Sequence, residues 1–352
     1  MGMLAERVDF VIGVDTHKRS HRAAYVNSVG GVVLETEVEA TEGGYRRLLD
    51  GALAAAPGRR VWAVEGTGTY GAGLTAFLQS VGEAVGEVER PKRQRRHDGK
   101  SDAIDAVRAA REALGKRRLA EPRRRGLRDS VRLLLVTRRE VVASRTRAYN
   151  QLHALVVSAP EQIRSRFLET SRRFHSGERL VKRCLGLRIR RQWPHELRIQ
   201  LHVMRQTAQR VAALDAEASD YEAELRELMT SLAPELVAQP GLGVLTAAEV
   251  LIAWSHRGRV HSEAAFAKLA GVAPQEASSG QVIRHRLSRG GDRRLNMTLH
   301  QIVLSRMRYD PETQAYVNRR RAEGKSERDI RRCLKRFLAR RLFRLLEALD
   351  KG

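Results

Sequence analysis

Cysteines, long apolar runs and acidic residues are all scarce in this chain of 352 residues. The two cysteines, Cys184 and Cys333, are too few for a disulfide framework or a cysteine-based zinc site. No stretch approaches the ~18 consecutive apolar residues that a membrane-spanning helix needs. The first residues include Glu6, Arg7 and Asp9, where a secretory signal would carry an apolar core. We therefore expect a soluble cytoplasmic protein with no membrane partner.

The shortage of acidic residues leaves 41 Asp and Glu against 65 Lys and Arg, a formal net charge of +24. The excess is unevenly distributed. Residues 1–90 hold 9 basic and 12 acidic side chains, whereas residues 91–352 hold 56 and 29. A near-neutral N-terminal region (1–90) followed by a strongly basic remainder (91–352) predicts a polyanionic partner, most commonly nucleic acid. Hydrophobic residues make up 42% of the chain, which is too many for a disordered basic tail.

Residues 1–120 show the pattern of a mixed α/β domain. Apolar runs with turn signals between them predict an early hairpin and then strands that alternate with helices. The predicted strands are 9–14, 21–27, 31–38, 61–66 and 83–88, and the predicted helices are 43–56, 71–80 and 101–114.

Beyond about residue 121 the pattern becomes helical. Apolar pairs recur every seven residues between Leu134 and Val156, and a second seam consists of Leu197, Met204, Val211, Ala218, Leu225 and Leu232. This repeat predicts a coiled-coil hairpin or dimerisation arm within residues 121–235, with two ordinary bundle helices as the alternative. The segment between the seams, residues 160–194, is basic and is predicted to be irregular. Residues 236–352 are predicted to be mostly helical, with a loop rich in Gly, Ser and Arg at 271–291.

Four acidic residues in the predicted α/β domain (1–120) lie at strand ends or on one helix. Asp15 ends the first strand, Glu65 ends a later strand, and Asp102 and Asp105 lie three residues apart on one helix. Strand ends at one edge of a sheet converge, and residues three apart share a helical face. Four carboxylates brought together need cations, and hard oxygen ligands suit Mg²⁺ or Mn²⁺. This order of strands and acids resembles the ribonuclease-H-like fold of RuvC-type nucleases and many transposases, and it predicts phosphodiester chemistry.

Several motifs together resemble one family over nearly the whole chain. The sequence is similar to the DEDD transposases of the IS110 insertion-sequence family, in the family's order and spacing. The segments that carry the resemblance are IGVDTHK (12–18), VEGTGTYG (64–71), GKSDAIDA (99–106), RTRAYNQLHALV (145–156), PGLGVLTAAEVL (240–251), LAGVAPQEASSG (269–280) and SRGGDRRLN (288–296).

The resemblance implies three domains: a RuvC-like domain (1–120), a helical coiled-coil domain (121–235) and a C-terminal transposase domain (236–352). It assigns catalysis and metal binding to Asp15, Glu65, Asp102 and Asp105. It also implies a serine nucleophile at Ser279, with Ser278 as the alternative register, that meets the carboxylates in a composite site between protomers and forms a phosphoserine link to DNA. Its implied partners are target and donor DNA, a structured bridge RNA and further copies of the chain, in the nucleoid of a bacterial cytoplasm.

The residues around Ser279 agree in part with this assignment. A serine hydroxyl is a weak nucleophile that needs a base or a metal to help remove its proton. Nearby basic side chains could bind the scissile phosphate and stabilise its developing charge; they are Arg284, Arg286, Arg289, Arg293 and Arg294. An ordinary loop serine that bonds its own backbone is the structural alternative.

Two other functions fit parts of the sequence. A junction-resolving or ribonuclease-H-type nuclease would use the same carboxylates but hydrolyse DNA with water. A non-catalytic nucleic-acid-binding protein would need only the basic surface, although acids at all four positions argue against it.

Overall fold

The computed structural model describes residues 2–88, 102–123, 125–167, 177–276, 285–287 and 290–349, with backbone alone for 102–104 and 285–287. The chain divides into two compact units. The N-terminal unit comprises Met1–Arg125 and Trp254–Ser262, and the helical unit comprises Gly126–Ala253 and Glu263–Gly352. The N-terminal unit is therefore built from two separate stretches of chain. The three-domain division stays a prediction.

The N-terminal unit is organised around one five-stranded sheet in the order β3-β2-β1-β4-β5. The first three strands form an antiparallel meander, and β4 and β5 run parallel to β1. The predicted mixed α/β architecture is confirmed, with each predicted strand and helix present within two residues of its expected limits. The elements are β1 (Phe10–Thr16), β2 (Ser20–Asn27), β3 (Val32–Glu39), α1 (Glu42–Ala55), β4 (Arg60–Glu65), α2 (Ala72–Ser80), β5 (Val85–Val88) and α3 (Asp102–Leu114).

Alternating side chains of the central strands β1 and β4 are buried on both faces of the sheet, whereas the edge strand β3 is largely exposed. One face packs against α1 and α2 through large residues that include Ile12, Tyr25 and Trp62. The other face packs against α3, which contributes only small side chains to the core, namely Ala106, Ala109, Ala110 and Ala113. The alanines recur at helical spacing, so they form the stripe that lies on the sheet.

A glycine in β1 sets the distance between α3 and the sheet. A Cβ at Gly13 would lie 2.1 Å from the carbonyl oxygen of Ala106 and 2.6 Å from the amide nitrogen of Ala110. The backbones of β1 and α3 therefore approach each other more closely than any side chain at position 13 would permit.

The helical unit is built on two long antiparallel helices, α4 (Leu127–Val157) and α7 (His195–Leu232). Ion pairs fix their direction, because Arg138 contacts Glu222 at 3.0 Å and Arg145, one heptad later, contacts Asp215, one heptad earlier. Several residues of the predicted seams are buried between helices: Leu135, Val141, Ala148 and Val156 on α4, and Met204, Val211, Ala218 and Leu225 on α7.

The segment 160–194, predicted to be irregular, contains short helices in its described part. These are α5 (Glu161–Arg164), a single 3₁₀ turn (Ser165–Phe167) and α6 (Gly177–Leu185). Leu180, Val181 and Cys184 of α6 join the core formed by the ends of α4 and α7. The prediction was wrong because these helices are shorter than the span over which helical periodicity is recognisable.

The remaining elements of the helical unit are mostly helices, as predicted. They are α8 (Pro234–Val237), α9 (Val244–Trp254), whose last residue belongs to the N-terminal unit, α10 (Glu263–Leu269), α11 (Arg293–Tyr309), α12 (Pro311–Ala322) and α13 (Glu327–Leu349). The predicted loop at 271–291 also contains a small antiparallel pair, β6 (Pro274–Glu276) and β7 (His285–Leu287). Among the residues described, no helix combines the length and the apolar character needed to cross a membrane.

Candidate functional site

Asp15 and Glu65 lie in the last residues of two neighbouring parallel strands of the sheet. β1 and β4 are paired in register up to Val14 and Val64, and the two acids are the next residues of their strands. Side chains alternate along a strand, so Asp15 lies on the same face as Gly13, and Glu65 lies on the same face as Ala63. That face is the one covered by α3. Asp15 is only 5% exposed.

The backbone after Glu65 is tied to the end of β1. The hydroxyl of Thr16 donates a hydrogen bond of 2.9 Å to the carbonyl oxygen of Glu65. Gly71, which precedes α2, lies close to the same carbonyl group, since a Cβ at Gly71 would be 2.9 Å from the carbonyl oxygen of Glu65. These contacts connect the ends of β1 and β4 to the turn that precedes α2.

The N-terminal end of α3 points toward the same edge. Its other end lies beside the residues before β1, since the amide of Leu4 donates to the carbonyl oxygen of Lys116 at 2.8 Å. Ala106 lies against Gly13 in mid-strand, so the first residues of α3 lie toward the C-terminal end of β1. Asp105 is four residues before Ala109 and continues the sheet-facing stripe, and position 102 begins the helix three residues earlier.

The four predicted acids are described to different extents. Asp15, Glu65 and the half-buried Asp105 are described in full, whereas the side chain of Asp102 lies outside the described residues. Among the side chains that the structure does describe, no three His, Cys, Asp or Glu residues form a metal-binding group. The Oδ2 of Asp15 lies 3.8 Å from Nδ1 of His17. The backbone brings the acid positions to one edge and one face, and a carboxylate set of this kind fits a hard divalent cation.

Arg22 is a residue of this site that the sequence patterns did not reveal. It pairs with Asp15 in the β1–β2 ladder, and its Nε donates a hydrogen bond of 3.0 Å to Oε2 of Glu37 on β3. Hydrogen bonds from Ser20 and Arg22 hold the pKa of Glu37 below its ordinary value. The tight turn closed by the amide of His17 and the carbonyl of Ser20 sets this register, so counting outward from the turn would have identified Arg22.

The predicted serine and arginines belong to the helical unit and are only partly described. Ser279, its neighbour Ser278, Arg284 and Arg289 lie outside the described residues, and Arg286 is described by its backbone in β7. Arg293 and Arg294 are exposed in the first turn of α11. A cation in the first turn opposes the helix dipole, so these two positions are not explained by helix stability.

The flanks of the segment that carries Ser279 are anchored to the helices around it. The side-chain Nδ2 of Asn296 on α11 donates hydrogen bonds to the carbonyl oxygens of Ala270 at 2.7 Å and Gly271 at 3.3 Å. Asn296 in turn accepts a bond of 3.1 Å from Nζ of Lys335 on α13. The amide of Asp292 donates to the carbonyl oxygen of Leu269 at 2.6 Å. Both ends of the strand pair β6–β7 are thus held against α10 and α11.

Two family models match this chain over separate regions. The DEDD transposase model of the IS110 group, described as "Transposase", matches residues 12–159, and the model of the "Transposase IS116/IS110/IS902 family" matches residues 233–318. Together they span more than half of the chain. The first region contains all four predicted acids, and the second contains Ser279.

Two curated relatives are also similar to the chain. One is the "Insertion element IS900 uncharacterized 42 kDa protein" of Mycobacterium paratuberculosis, 27% identical over 89% of each chain. The other is the "Insertion element IS110 uncharacterized 43.6 kDa protein" of Streptomyces coelicolor, 33% identical over 34% of this chain and 30% of the relative.

Proposed function

Because the chain belongs to the IS110 family of transposases, we propose that it cleaves and rejoins DNA strands during movement of an insertion sequence, with Asp15, Glu65, Asp102 and Asp105 at its catalytic centre. The observation that carries this proposal is the position of Asp15 and Glu65 at adjacent strand ends, on the face covered by α3. The strand order β3-β2-β1-β4-β5, with a three-stranded meander followed by parallel strands, supports a ribonuclease-H-like or RuvC-like assignment of the N-terminal unit.

The four carboxylates would hold divalent cations, Mg²⁺ or Mn²⁺. When bound, such ions can activate the attacking oxygen and stabilise the leaving oxygen of a phosphodiester. The role of the chain is to keep the carboxylates at fixed positions. The bond from Thr16 to the Glu65 carbonyl and the contact between Gly13 and α3 support that role, because they connect the elements that carry the acids.

Ser279 is the proposed nucleophile, and its oxygen attacks the scissile phosphorus. The bond between phosphorus and a sugar oxygen breaks as the serine–phosphorus bond forms, the serine proton is lost to a base, and the departing sugar oxygen takes up a proton. Rejoining reverses these changes with a sugar hydroxyl of another strand. The arginines proposed to bind the phosphates are Arg284, Arg286, Arg289, Arg293 and Arg294, and the exposure of Arg293 and Arg294 supports such contacts.

We propose in addition that a structured bridge RNA selects the target and donor DNA and that the chain acts as a homo-oligomer through a coiled coil. The excess of basic over acidic side chains in residues 91–352 supports the proposal of RNA binding. Exposed apolar side chains on the outer faces of α4 and α7 support the proposal of a homo-oligomer; they are Leu133, Val136, Val157 and Ile199. Light scattering of wild type and of Ile199→Glu tests the oligomer, and an unchanged mass would contradict this surface.

The catalytic proposal is tested with end-labelled DNA that carries the element's ends, the cognate RNA and Mg²⁺, resolved on a denaturing gel. Wild type should give cleaved strands and a covalent protein–DNA adduct. Asp105→Asn should abolish both while retaining DNA binding, since it removes one carboxylate charge at constant shape. Asp50→Asn, an exposed acid on α1, is the matched control and should behave like wild type.

The serine variant separates the proposed reaction from hydrolysis. Ser279→Ala should lose the adduct and the cleaved strands together, with Ser278→Ala as its control. Persistent cleavage in Ser279→Ala without an adduct would indicate that water attacks, as in a ribonuclease-H-type nuclease. Full nucleic-acid affinity in wild type with no cleavage in Mg²⁺ or Mn²⁺ would indicate a binding protein without this activity.

A further inference from the structure

The helical unit contains a cavity of about 290 Å³ between α11, α12 and α13. Its floor is apolar and includes Val303 and Leu338, and its polar and aromatic walls include Arg306, Tyr316 and Arg341. The volume is at the small end of the range of about 300–1000 Å³ that is typical of small-molecule sites. The cavity therefore suits one small group better than an extended segment.

The charged side chains around this cavity favour an anion. Burial and the nearby charge of Arg341 lower the pKa of Arg306, and the carboxylates of Asp310 and Glu312 oppose this shift without cancelling it. The acidic residue of the lining is Glu312, whose side chain is 85% exposed and lies 4.0 Å from Arg341. Such an exposed contact compensates the pair only weakly. Arg306 is held in place by a hydrogen bond of 2.8 Å from its Nε to the carbonyl oxygen of Pro240.

Two aromatic rings form another wall of the cavity. The rings of Tyr316 and Phe337 meet edge to face, with centroids 5.8 Å apart, and Phe337 is 49% exposed. The guanidinium carbon of Arg319 lies 5.4 Å from the centroid of the Tyr316 ring. A half-exposed aromatic side chain set among arginines offers a stacking surface for a base next to cations for its phosphate.

We propose that this cavity binds an unstacked nucleotide of a single-stranded nucleic acid, with the base against Phe337 and the phosphate between Arg306 and Arg341. A nucleotide unites a planar apolar ring with an anion, and the lining offers partners for both. Stacking accepts any base, so the site would capture a strand without reading its sequence. The inference concerns binding by the helical unit and does not depend on the proposed catalytic residues.

The test uses the full-length protein and short oligonucleotides that carry the fluorescent base 2-aminopurine. Single-stranded DNA, single-stranded RNA of the same sequence and the DNA duplex are titrated separately. Stacking in the cavity should quench the fluorescence of a single strand, and Phe337→Leu and Arg341→Gln should each weaken single-strand binding about tenfold. Their effect on the duplex should be less than twofold. The single strand with the greater affinity identifies DNA or RNA as the source of the nucleotide.

Matched controls separate the cavity from general surface charge. Arg344→Gln removes the same charge from α13 at a residue that is paired with Glu263 and lies outside the lining. Met297→Ala removes an exposed apolar side chain from α11. Both controls should bind single strands like wild type, and thermal unfolding should show that all four variants are folded. Equal losses for single strand and duplex, equal losses for Arg341→Gln and Arg344→Gln, or displacement of the strand by polyglutamate would each overturn the proposal.

Discussion

Arg22 lies directly across the β1–β2 ladder from Asp15, so a cation and a carboxylate on adjoining strands share the sheet face that α3 covers. The guanidinium of Arg22 also forms an ion pair with Glu37 on β3, the strand on the other side of β2. We expect Arg22→Gln to slow Mg²⁺-dependent cleavage by on the order of a hundredfold, because a fixed cation beside the carboxylates would stabilise charge that develops on the phosphate.

The stability of the Arg22→Gln variant should differ from that of wild type by less than about 1 kcal/mol, since both partners of this ion pair are more than one-third exposed. Arg46→Gln removes a comparable exposed ion pair on α1 and should leave cleavage unchanged. Cleavage rates and thermal unfolding of the two variants provide the comparison, and equal rates in both would remove Arg22 from the site.

Gly13→Ala should disturb both folding and cleavage. Its new methyl group would lie 2.1 Å from the Ala106 carbonyl oxygen, so α3 must move away from β1. Overpacking of this kind costs about 1–3 kcal/mol, and the displacement would carry Asp102 and Asp105 away from Asp15.

Gly43→Ala is the control for this substitution, because a Cβ at Gly43 in α1 meets nothing within 4 Å. It should be neutral or slightly stabilising, since alanine favours a helix more than glycine does. Urea unfolding and cleavage assays measure both effects. Gly13→Ala with the stability and activity of wild type would refute the tight contact between α3 and β1.

Glu83 should make folding depend on pH. Burial tends to raise the pKa of its carboxyl group, but hydrogen bonds from Arg60 and Trp62 outweigh burial and bring the pKa below 4.5. Arg60 and Trp62 donate to Oε2 of Glu83 at 2.9 Å each. The resulting stabilisation is present above the ordinary pKa of 4.5 and is lost as the pH falls through the lower folded value.

Glu83→Gln, which cannot ionise, should therefore destabilise the protein by about 1.5–3 kcal/mol at pH 7. The difference from wild type should shrink as the pH falls below 4.5. Urea unfolding of both proteins at a series of pH values measures this difference. Other titrating groups affect the stability of both proteins alike, so their contribution cancels in the difference. A difference that is constant across the series would contradict the role of the ionised carboxyl group.

Truncation of two adjacent residues on α7 should change the free energy of unfolding by very different amounts. Met204 is fully buried among residues of α4 and α6, whereas Val203 is 36% exposed. Met204→Ala should cost about 2–5 kcal/mol through the cavity that it leaves. Val203→Ala should change stability by less than about 0.5 kcal/mol. Equal effects in denaturant unfolding would mean that the face of α7 toward α4 is wrongly identified.

The sequence predicts the N-terminal unit well because its signals are local. The apolar runs of β1 and β4 locate Asp15 and Glu65 in the last residues of these strands, and the alanine spacing of α3 identifies the face that meets the sheet. The same periodicity identified Met204 and Val211 as core residues. The position of Asp15 and Glu65 at one edge of the sheet follows from the parallel direction of β1 and β4.

Other features could not be predicted, because they depend on contacts between distant parts of the chain. Arg22 is the exception, because the local turn between His17 and Ser20 sets the register that pairs it with Asp15. The strands β6 and β7 are three residues each, too short to show alternation. Cys184 is buried because α6 packs on α7, and that burial raises the pKa of its thiol to about 12, yet no local signal marks it as core.

The return of Trp254–Ser262 to the N-terminal unit limits how this protein can be divided. His256 Nε2 lies 3.3 Å from Oε2 of Glu121, and Arg118 donates to the carbonyl oxygen of Gly258 at 2.8 Å. A gene fragment that stops at codon 125 would lack this returning stretch and the partners that it brings. Chimaeras between relatives would therefore need three junctions to transplant the unit intact, one after residue 125 and one on each side of residues 254–262.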